Sequence, residues 1–429
     1  MKKKKEITKA LIEFINESPC AFHVIENVEA MLDKEGFTSL SEKEEWNLEW
    51  GRKYYVNRNQ SSFIAFKLPD EPKNGFQIIA SHSDSPSFKI KETPEILIED
   101  NYTKLNVEKY GGMILSSWFD RPLSVAGRIV IEENGRKSTK LVNIRKDLFI
   151  IPNLAIHMTR DQKKEADLNP QVDMLPLFGG KNANKTFLKM IAREVDVKAD
   201  EILGTDLYLY NRQRGLLFGS EEEFIGAPRL DDLQCVFAST NGFIQAEKIE
   251  KIAVLGIFDN EEVGSSTMQG ADSTFLEDVL SKICYGLELG EKDYKSFLRE
   301  SFMVSADNAH GVHPNHPEIA DPTNRPYLNK GIVIKFHGGQ KYSTDALSGA
   351  VIKSICKKAK IPYQTYQNRS DLAGGSTLGN ISNTHVSIPT ADIGLPQLAM
   401  HSAFETAGTD DTKDMITFAK TYFESCQSL

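Results

Sequence analysis

Two adjacent acids, Glu261 and Glu262, close the run Ile252-Ala-Val-Leu-Gly-Ile-Phe258-Asp259-Asn260. An apolar, β-branched run of that length reads as a buried strand. The polar residues after it therefore stand at a strand's carboxyl end, where open α/β sheets bind their ligands. Two neighbouring carboxylates repel each other unless a cation lies between them. One acid can then hold a metal while the other moves a proton, the division of labour that a metal-assisted hydrolase needs. A Glu-Glu pair by itself is more often a solvated acidic turn, so the metal reading depends on further ligands.

Such ligands occur where other strands end. After Phe76-Gln-Ile-Ile-Ala80 comes Ser81-His82-Ser83-Asp84, in which His82 and Asp84 lie two apart and share one side of an extended chain. A carboxylate beside an imidazole fixes its tautomer and strengthens it as a ligand. Asp307 follows Phe302-Met-Val-Ser305, and His401 follows the apolar segment Gln397-Leu-Ala-Met400. Asp231 and Asp232 open a helical stretch, where ordinary capping is expected of one of them. Taken singly, each has a bland explanation: a surface turn, a cap, a core histidine. Taken together, His82, Asp231, Glu262, Asp307 and His401 supply two imidazoles and three carboxylates, a set that suits a dizinc or related divalent pair with one carboxylate bridging. The chain has neither a His-Glu-x-x-His zincin motif nor a Gly-x-Ser-x-Gly elbow. Gly374-Gly-Ser-Thr-Leu-Gly379 lacks the phosphate-loop lysine and the dinucleotide spacing, and reads as a tight turn near the active site.

The elements that must position these residues fall into three blocks. Residues 1–90 combine an amphipathic first helix (Ile7, Leu11, Ile12, Ile15) with strands at 63–66 and 76–80. Residues 91–220 change to short β-like runs, at 123–131 and 140–144, separated by charged turns, which predicts an inserted, mostly β domain. Residues 221–429 return to alternation, with helices over 233–246, 346–360 and 413–426 and strands over 252–258, 302–305 and 332–336. Blocks one and three then form a single α/β domain that the middle block interrupts.

Composition limits what such a protein can do. At 429 residues and 40% hydrophobic content the chain can bury a large core, while its longest apolar runs fall short of a membrane span. The balance of 51 basic against 60 acidic residues, a net charge of −9, argues against a nucleic-acid partner. Met1-Lys2-Lys3-Lys4-Lys5 is followed by interspersed charges and no apolar stretch of a leader. The five cysteines are odd in number and show no Cys-x-x-Cys spacing, so they are expected to be reduced core thiols of a cytoplasmic protein.

Several blocks spread along the chain carry a resemblance. Ser81-His82-Ser-Asp84-Ser-Pro86, Trp118-Phe-Asp-Arg-Pro-Leu123, Pro228-Arg-Leu-Asp231, Phe258-Asp-Asn-Glu-Glu-Val-Gly264, Ser305-Ala-Asp-Asn-Ala-His310-Gly-Val-His-Pro-Asn315 and Pro396-Gln-Leu-Ala-Met-His401-Ser402 resemble the aspartyl aminopeptidase and vacuolar aminopeptidase I family of dizinc exopeptidases. The resemblance implies a phosphorylase/hydrolase-like α/β domain, with a mixed central sheet flanked by helices, interrupted by a β dimerisation domain. It also implies a homo-oligomer, a tetrahedral dodecamer built from dimers whose sites face an enclosed chamber. Asp231 would bridge two ions, zinc first, with manganese or cobalt as alternatives. His82 and Asp307 would complete one site, Glu262 and His401 the other. Glu261 would take the proton of the water activated by the two ions, Asp84 would back His82, and the substrate would be the amino-terminal residue of a peptide.

The pocket is read from the same resemblance. Lys335 and Tyr342 match the residues with which acidic-substrate members hold an Asp or Glu side chain, and His310 is expected to help the developing oxyanion. His157 matches a histidine that reaches a neighbouring subunit's site, with metal ligation as the alternative. Phe336-His-Gly-Gly-Gln340 replaces a more polar run, and Asp232 stands where the family often has Asn, so acidic preference is only a lean. The alternatives are a broad or neutral-residue aminopeptidase, a dizinc amidohydrolase of small N-acyl compounds, and an inactive shell or cargo-binding protein.

Overall fold

The computed structural model describes residues 2–158 and 167–426. Its largest sheet has nine strands, in the spatial order Thr38–Ser39, Lys53–Arg58, Ser62–Lys67, Ile252–Phe258, Phe76–His82, Phe302–Ala306, Thr390–Gly394, Ile332–Lys335 and Tyr363–Tyr366. The four strands Ile252–Phe258, Phe76–His82, Phe302–Ala306 and Thr390–Gly394 run parallel, with antiparallel pairings on either side, so the sheet is mixed. Parallel strands covered on both faces need apolar residues at nearly every position, which is why these runs are continuous and not alternating.

Helices cover both faces. Ile79, Leu255 and Val304 pack with Leu233, Phe243, Ile352 and Phe418 in one core, while the alternate residues Ile78, Val254 and Met303 pack with Phe275, Leu280 and Phe297 in the other. The helices of the first face include Lys2–Glu17, Ala21–Lys34, Leu230–Gln245, Ala346–Ala359 and Asp411–Phe423. Phe275–Gly286 and Glu291–Arg299 cover the second. Tyr422 ties the closing helix to two central strands: its hydroxyl donates to Phe302 O (2.6 Å) and accepts from the Ile78 N–H (3.1 Å).

A second sheet is wholly antiparallel. Its six strands, Arg136–Asn143, Leu123–Glu133, Gly204–Asn211, Ser87–Ile98, Tyr102–Tyr110 and Leu177–Gly180, all come from the chain between Phe76–His82 and Ile252–Phe258. Val125, Leu207, Phe88 and Phe187 form its separate core. The chain therefore has an α/β domain interrupted by a β domain. The strands at Ser87–Ile98 and Tyr102–Tyr110 carry four lysines and three glutamates, a charged content that hides them from an apolar-run reading.

A third, five-stranded sheet joins Leu216–Phe218, Phe224–Ala227, Glu405–Gly408, Pro396–Leu398 and Ala309–His310. It draws together the segments that carry Asp231, His401 and Asp307. All five cysteines are free. Cys235, Cys284 and Cys356 are buried, but Cys426 is exposed and not a core residue. No helix among the described residues is long and apolar enough to cross a membrane.

Candidate metal centre

The carboxyl ends of three adjacent parallel strands meet at one edge of the nine-stranded sheet. His82 is the last residue of Phe76–His82, Glu261 and Glu262 follow Ile252–Phe258, and Asp307 follows Phe302–Ala306. The helix Leu230–Gln245 enters the same edge with Asp231 and Asp232, and the loop after Pro396–Leu398 brings His401. His401 (φ 66°) and Asn260 (φ 61°) both sit in left-handed backbone, sparsely populated for residues other than glycine and recurrent at functional sites.

Asp231 lies at the centre. Its Oδ1 is 3.3 Å from His82 Nε2 and its Oδ2 is 3.5 Å from His401 Nε2, while Glu262 Oε2 is 3.4 Å from the same His401 nitrogen. His82, Asp231, Asp232 and Asp307 form one group with ligand atoms within 4.8 Å of one another, and Asp231, Glu262 and His401 form another. Asp231 belongs to both. His82, Glu261 and Glu262 make a third such group, so Glu261 also stands within ligand reach. The His401 side chain remains 34% exposed, against 3% for Glu262, which leaves the centre open on one side.

The donor set fits divalent ions on three counts. Among the described residues, Glu262 Oε1 and Asp231 Oδ1 are buried and accept no hydrogen bond, which is costly unless something else occupies them. His82 Nδ1 lies 3.0 Å from the Asp84 carbonyl oxygen and 3.3 Å from Asp84 Oδ1. A carbonyl can only accept, so Nδ1 carries the proton and Nε2 is left as a ligating lone pair. Finally, burial raises the Glu262 carboxyl well above its usual range, the Asp231 charge adding to it, as expected of acids gathered without their cation.

Supporting residues lie around this centre. Asp84 accepts from the Tyr110 hydroxyl (2.7 Å) and from the N–H groups of Glu261 and Glu262 (3.2 Å each). Asp232 accepts from the N–H of His82 and of Asn308, both 3.2 Å. The capping role expected for one acid of the pair is therefore corrected. Asp231 and Asp232 both have non-helical φ/ψ, and Asp232 ties two strand ends together. Glu405, which the sequence reading missed, accepts from the N–H of Asp231 (3.1 Å) and of His401 (2.7 Å). Burial, with the Asp231 charge close by, pushes its carboxyl up to about 8. Nothing in its local sequence, Phe404-Glu-Thr, signals that contact.

A cleft opens from the centre, lined by His82, Asp231, Glu261, Asp307, His310, Lys335, Tyr342 and His401. Of the Glu pair, only Glu261 lines it. Lys335 is buried, donates to Asn308 O (2.8 Å), lies 3.5 Å from Asp307 Oδ2 and stands 5.5 Å over the Tyr342 ring. Ser376 and Thr377 of the glycine-rich turn reach the same cleft. His157 does not join them: it is exposed, in the short helical turn Ile156–Met158 of the β domain.

A buried cluster of imidazole and carboxylate at the carboxyl edge of a helix-flanked sheet, with a free acid in the cleft beside it, defines a metal-dependent hydrolase. The profile of the Aminopeptidase I zinc metalloprotease (M18) family matches residues 14–423, and the chain belongs to this family. It is a zinc metalloaminopeptidase. It is 48% identical to a probable M18 family aminopeptidase 2 of Clostridium novyi (strain NT), over 96% of this chain and 97% of that one. A probable M18 family aminopeptidase 2 of Clostridium acetobutylicum is 46% identical over the same shares. Among solved structures, Ape4 from a complex with Nbr1 superposes with a TM-score of 0.94 at 34% identity, covering 98% of this chain and 86% of that one. The yeast mApe1 dodecamer gives 0.86 at 26% identity, covering 99% and 98%.

Proposed function

We propose that this aminopeptidase binds two divalent ions per subunit, zinc in the first place with manganese or cobalt as substitutes, and removes acidic amino-terminal residues in preference to neutral ones. The observation that carries the two-ion reading is the position of Asp231, shared by two ligand groups and flanked by His82 on one side and His401 on the other. His82 and Asp307 would complete one site, Glu262 and His401 the other, with Asp84 backing His82. Divalent ions bound there supply Lewis acidity, lowering the pKa of a water and withdrawing charge from the scissile carbonyl.

Glu261 is the proton carrier. It lies in the cleft with its N–H held by Asp84, and burial, opposed by His82 but reinforced by the Asp307 and Asp84 charges, pushes its carboxyl up to about 8. Cations in the centre would bring that value down, towards the range of a general base that works near neutral pH. Its carboxylate takes the proton of the attacking water and returns it to the leaving amine. His310, on the cleft wall, would donate to the oxyanion. Glu261→Gln is expected to abolish turnover at near-normal metal content, whereas Glu262→Ala should lose metal. Metal analysis beside an aminoacyl-amide assay separates the two, and an active Glu261→Gln protein would contradict the assignment.

Acidic preference is supported by Lys335, a buried ammonium on the cleft wall beside Tyr342. A homo-oligomer, dodecameric and built from dimers through the β domain, is supported by the likeness to the mApe1 dodecamer and by Ile150, Leu154, Ile156 and Met158, all 47% or more exposed. His157, among them, would then reach a neighbouring subunit's cleft. Five free thiols fit a reducing, cytoplasmic setting.

A further inference from the structure

The β domain approaches the metal centre through one short segment. After the strand Tyr102–Tyr110 the chain passes Gly111, Gly112 and Met113 to Ile114 before turning into Leu115–Trp118. Tyr110 donates its hydroxyl to Asp84 Oδ2 and accepts from Asn260 Nδ2 at 2.8 Å. Asn260 cannot swing away: its Oδ1 accepts from Thr267 Oγ1 and Gln269 Nε2, both at 2.8 Å. Gly111 has φ 79°, and a Cβ there would stand 3.0 Å from Glu262 Cβ and 3.3 Å from Glu262 O. Gly112 faces the His401 ring, with Nδ1 3.9 Å from where its Cβ would lie.

The same segment and its neighbours also fasten the His401 loop. The Ile114 N–H donates to His401 O (3.0 Å), Ser117 Oγ accepts from the Ala403 N–H (2.9 Å), and Asn211 Nδ2 donates to Ala403 O (2.9 Å). All three partners belong to the β domain, and His401 is held in left-handed backbone that it would otherwise leave. The distribution is unequal. Glu262 and His401 are touched directly, whereas His82 is reached only through Asp84. Among the described residues, the side chains of Asp231, Asp232 and Asp307 form their hydrogen bonds and ion pairs with residues of the α/β domain.

We propose that the strap Tyr110–Ile114 is a positioning element of the Glu262–His401 half of the metal centre, so that the β domain sets how tightly that one ion is held. The proposal rests on the two-site reading given above. Residues that orient ligands from outside the coordination shell commonly change metal affinity about 10- to 100-fold when altered. A glycine at positive φ pressed against a ligand side chain is the place where a single methyl group acts most directly.

The experiment loads the full-length protein with zinc and measures each ion's affinity by chelator competition, with cobalt(II) spectra reporting the ligand geometry. Gly111→Ala is expected to release one ion of two about 10- to 100-fold more readily and to leave the second unchanged. Tyr110→Phe, which removes the donor to the Asp84 oxygen that also accepts from the Glu262 N–H, while His82 faces the other oxygen, should weaken the same ion and lower kcat with little change in KM. Leu207→Ala, in the core of the β domain away from the strap, should lower the melting temperature without releasing metal. Wild-type affinity for both ions in Tyr110→Phe and in folded Gly111→Ala overturns the proposal. Should Gly111→Ala fail to fold, Tyr110→Phe decides alone. Equal weakening of both ions also overturns it. Glu262→Ala serves as reference: if it keeps two ions the two-site reading fails, and if it loses one while the strap variants keep both, only the strap inference fails.

Discussion

At the scale of residues, the centre shows how far identity and spacing reach. His82 and Asp84 could be paired from a two-residue interval, because an extended chain must put both on one side, and in the structure Nδ1 and Oδ1 stand 3.3 Å apart. Glu405 and Tyr110 were illegible for the opposite reason. Each acts through a contact made far along the chain, Tyr110 with Asp84 and Glu405 with Asp231, and nothing in their neighbours' identities marks them. Lys335 is the residue whose role is open to the simplest test. An ammonium in the cleft with Asp307 nearby attracts a substrate carboxylate and repels nothing in a neutral side chain. Lys335→Ala is expected to lower kcat/KM for aminoacyl amides of Asp or Glu by at least about tenfold, the loss of one charged pair being worth roughly 1.5–3 kcal/mol, while Leu and Ala substrates change little. Equal losses on acidic and neutral substrates would remove Lys335 from specificity.

At the scale of elements, the buried parallel strands were legible because burial on both faces writes itself as an unbroken apolar run; 252–258 is the clearest case. The helix at Leu230–Gln245 was read without its first turn, since Asp231 and Asp232 have non-helical geometry imposed by the strand ends they meet. In the closing helix Asp411–Phe423 one buried hydroxyl joins two strands. Tyr422→Phe leaves Phe302 O and the Ile78 N–H without that partner and is expected to cost about 1–3 kcal/mol in urea or thermal unfolding, with steady-state turnover of the folded fraction preserved. A change below a few tenths of a kcal/mol would mean that the two backbone groups find other partners.

At the scale of the whole molecule, the order of blocks along the chain was readable from a change of texture, apolar runs giving way to short charged β segments and returning. What the sequence could not convey is that a third, small sheet, assembled from three separated stretches of chain (216–227, 309–310 and 396–408), carries the loop of His401 to the edge where His82 ends. The exposed apolar stretch of the β domain belongs to this scale as well. Ile156 is 68% exposed and Met158 75%, next to His157. Ile156→Asp is expected to yield a smaller species in sedimentation velocity, and turnover should fall with the fraction assembled. Unchanged sedimentation would move the subunit contact elsewhere.

The strap and the two crossing points of the β domain bear on one another. The chain leaves the nine-stranded sheet at His82, builds six strands, and returns just before Asp231, so the excursion begins and ends at two neighbouring side chains of the candidate centre. Linkage is reciprocal: whatever free energy the β domain contributes to holding an ion, the ion contributes to holding the β domain. If the strap holds that ion, loading the centre with metal would act as a clasp between the two domains of the subunit, and a shell built from such subunits would owe part of its rigidity to the ions it binds.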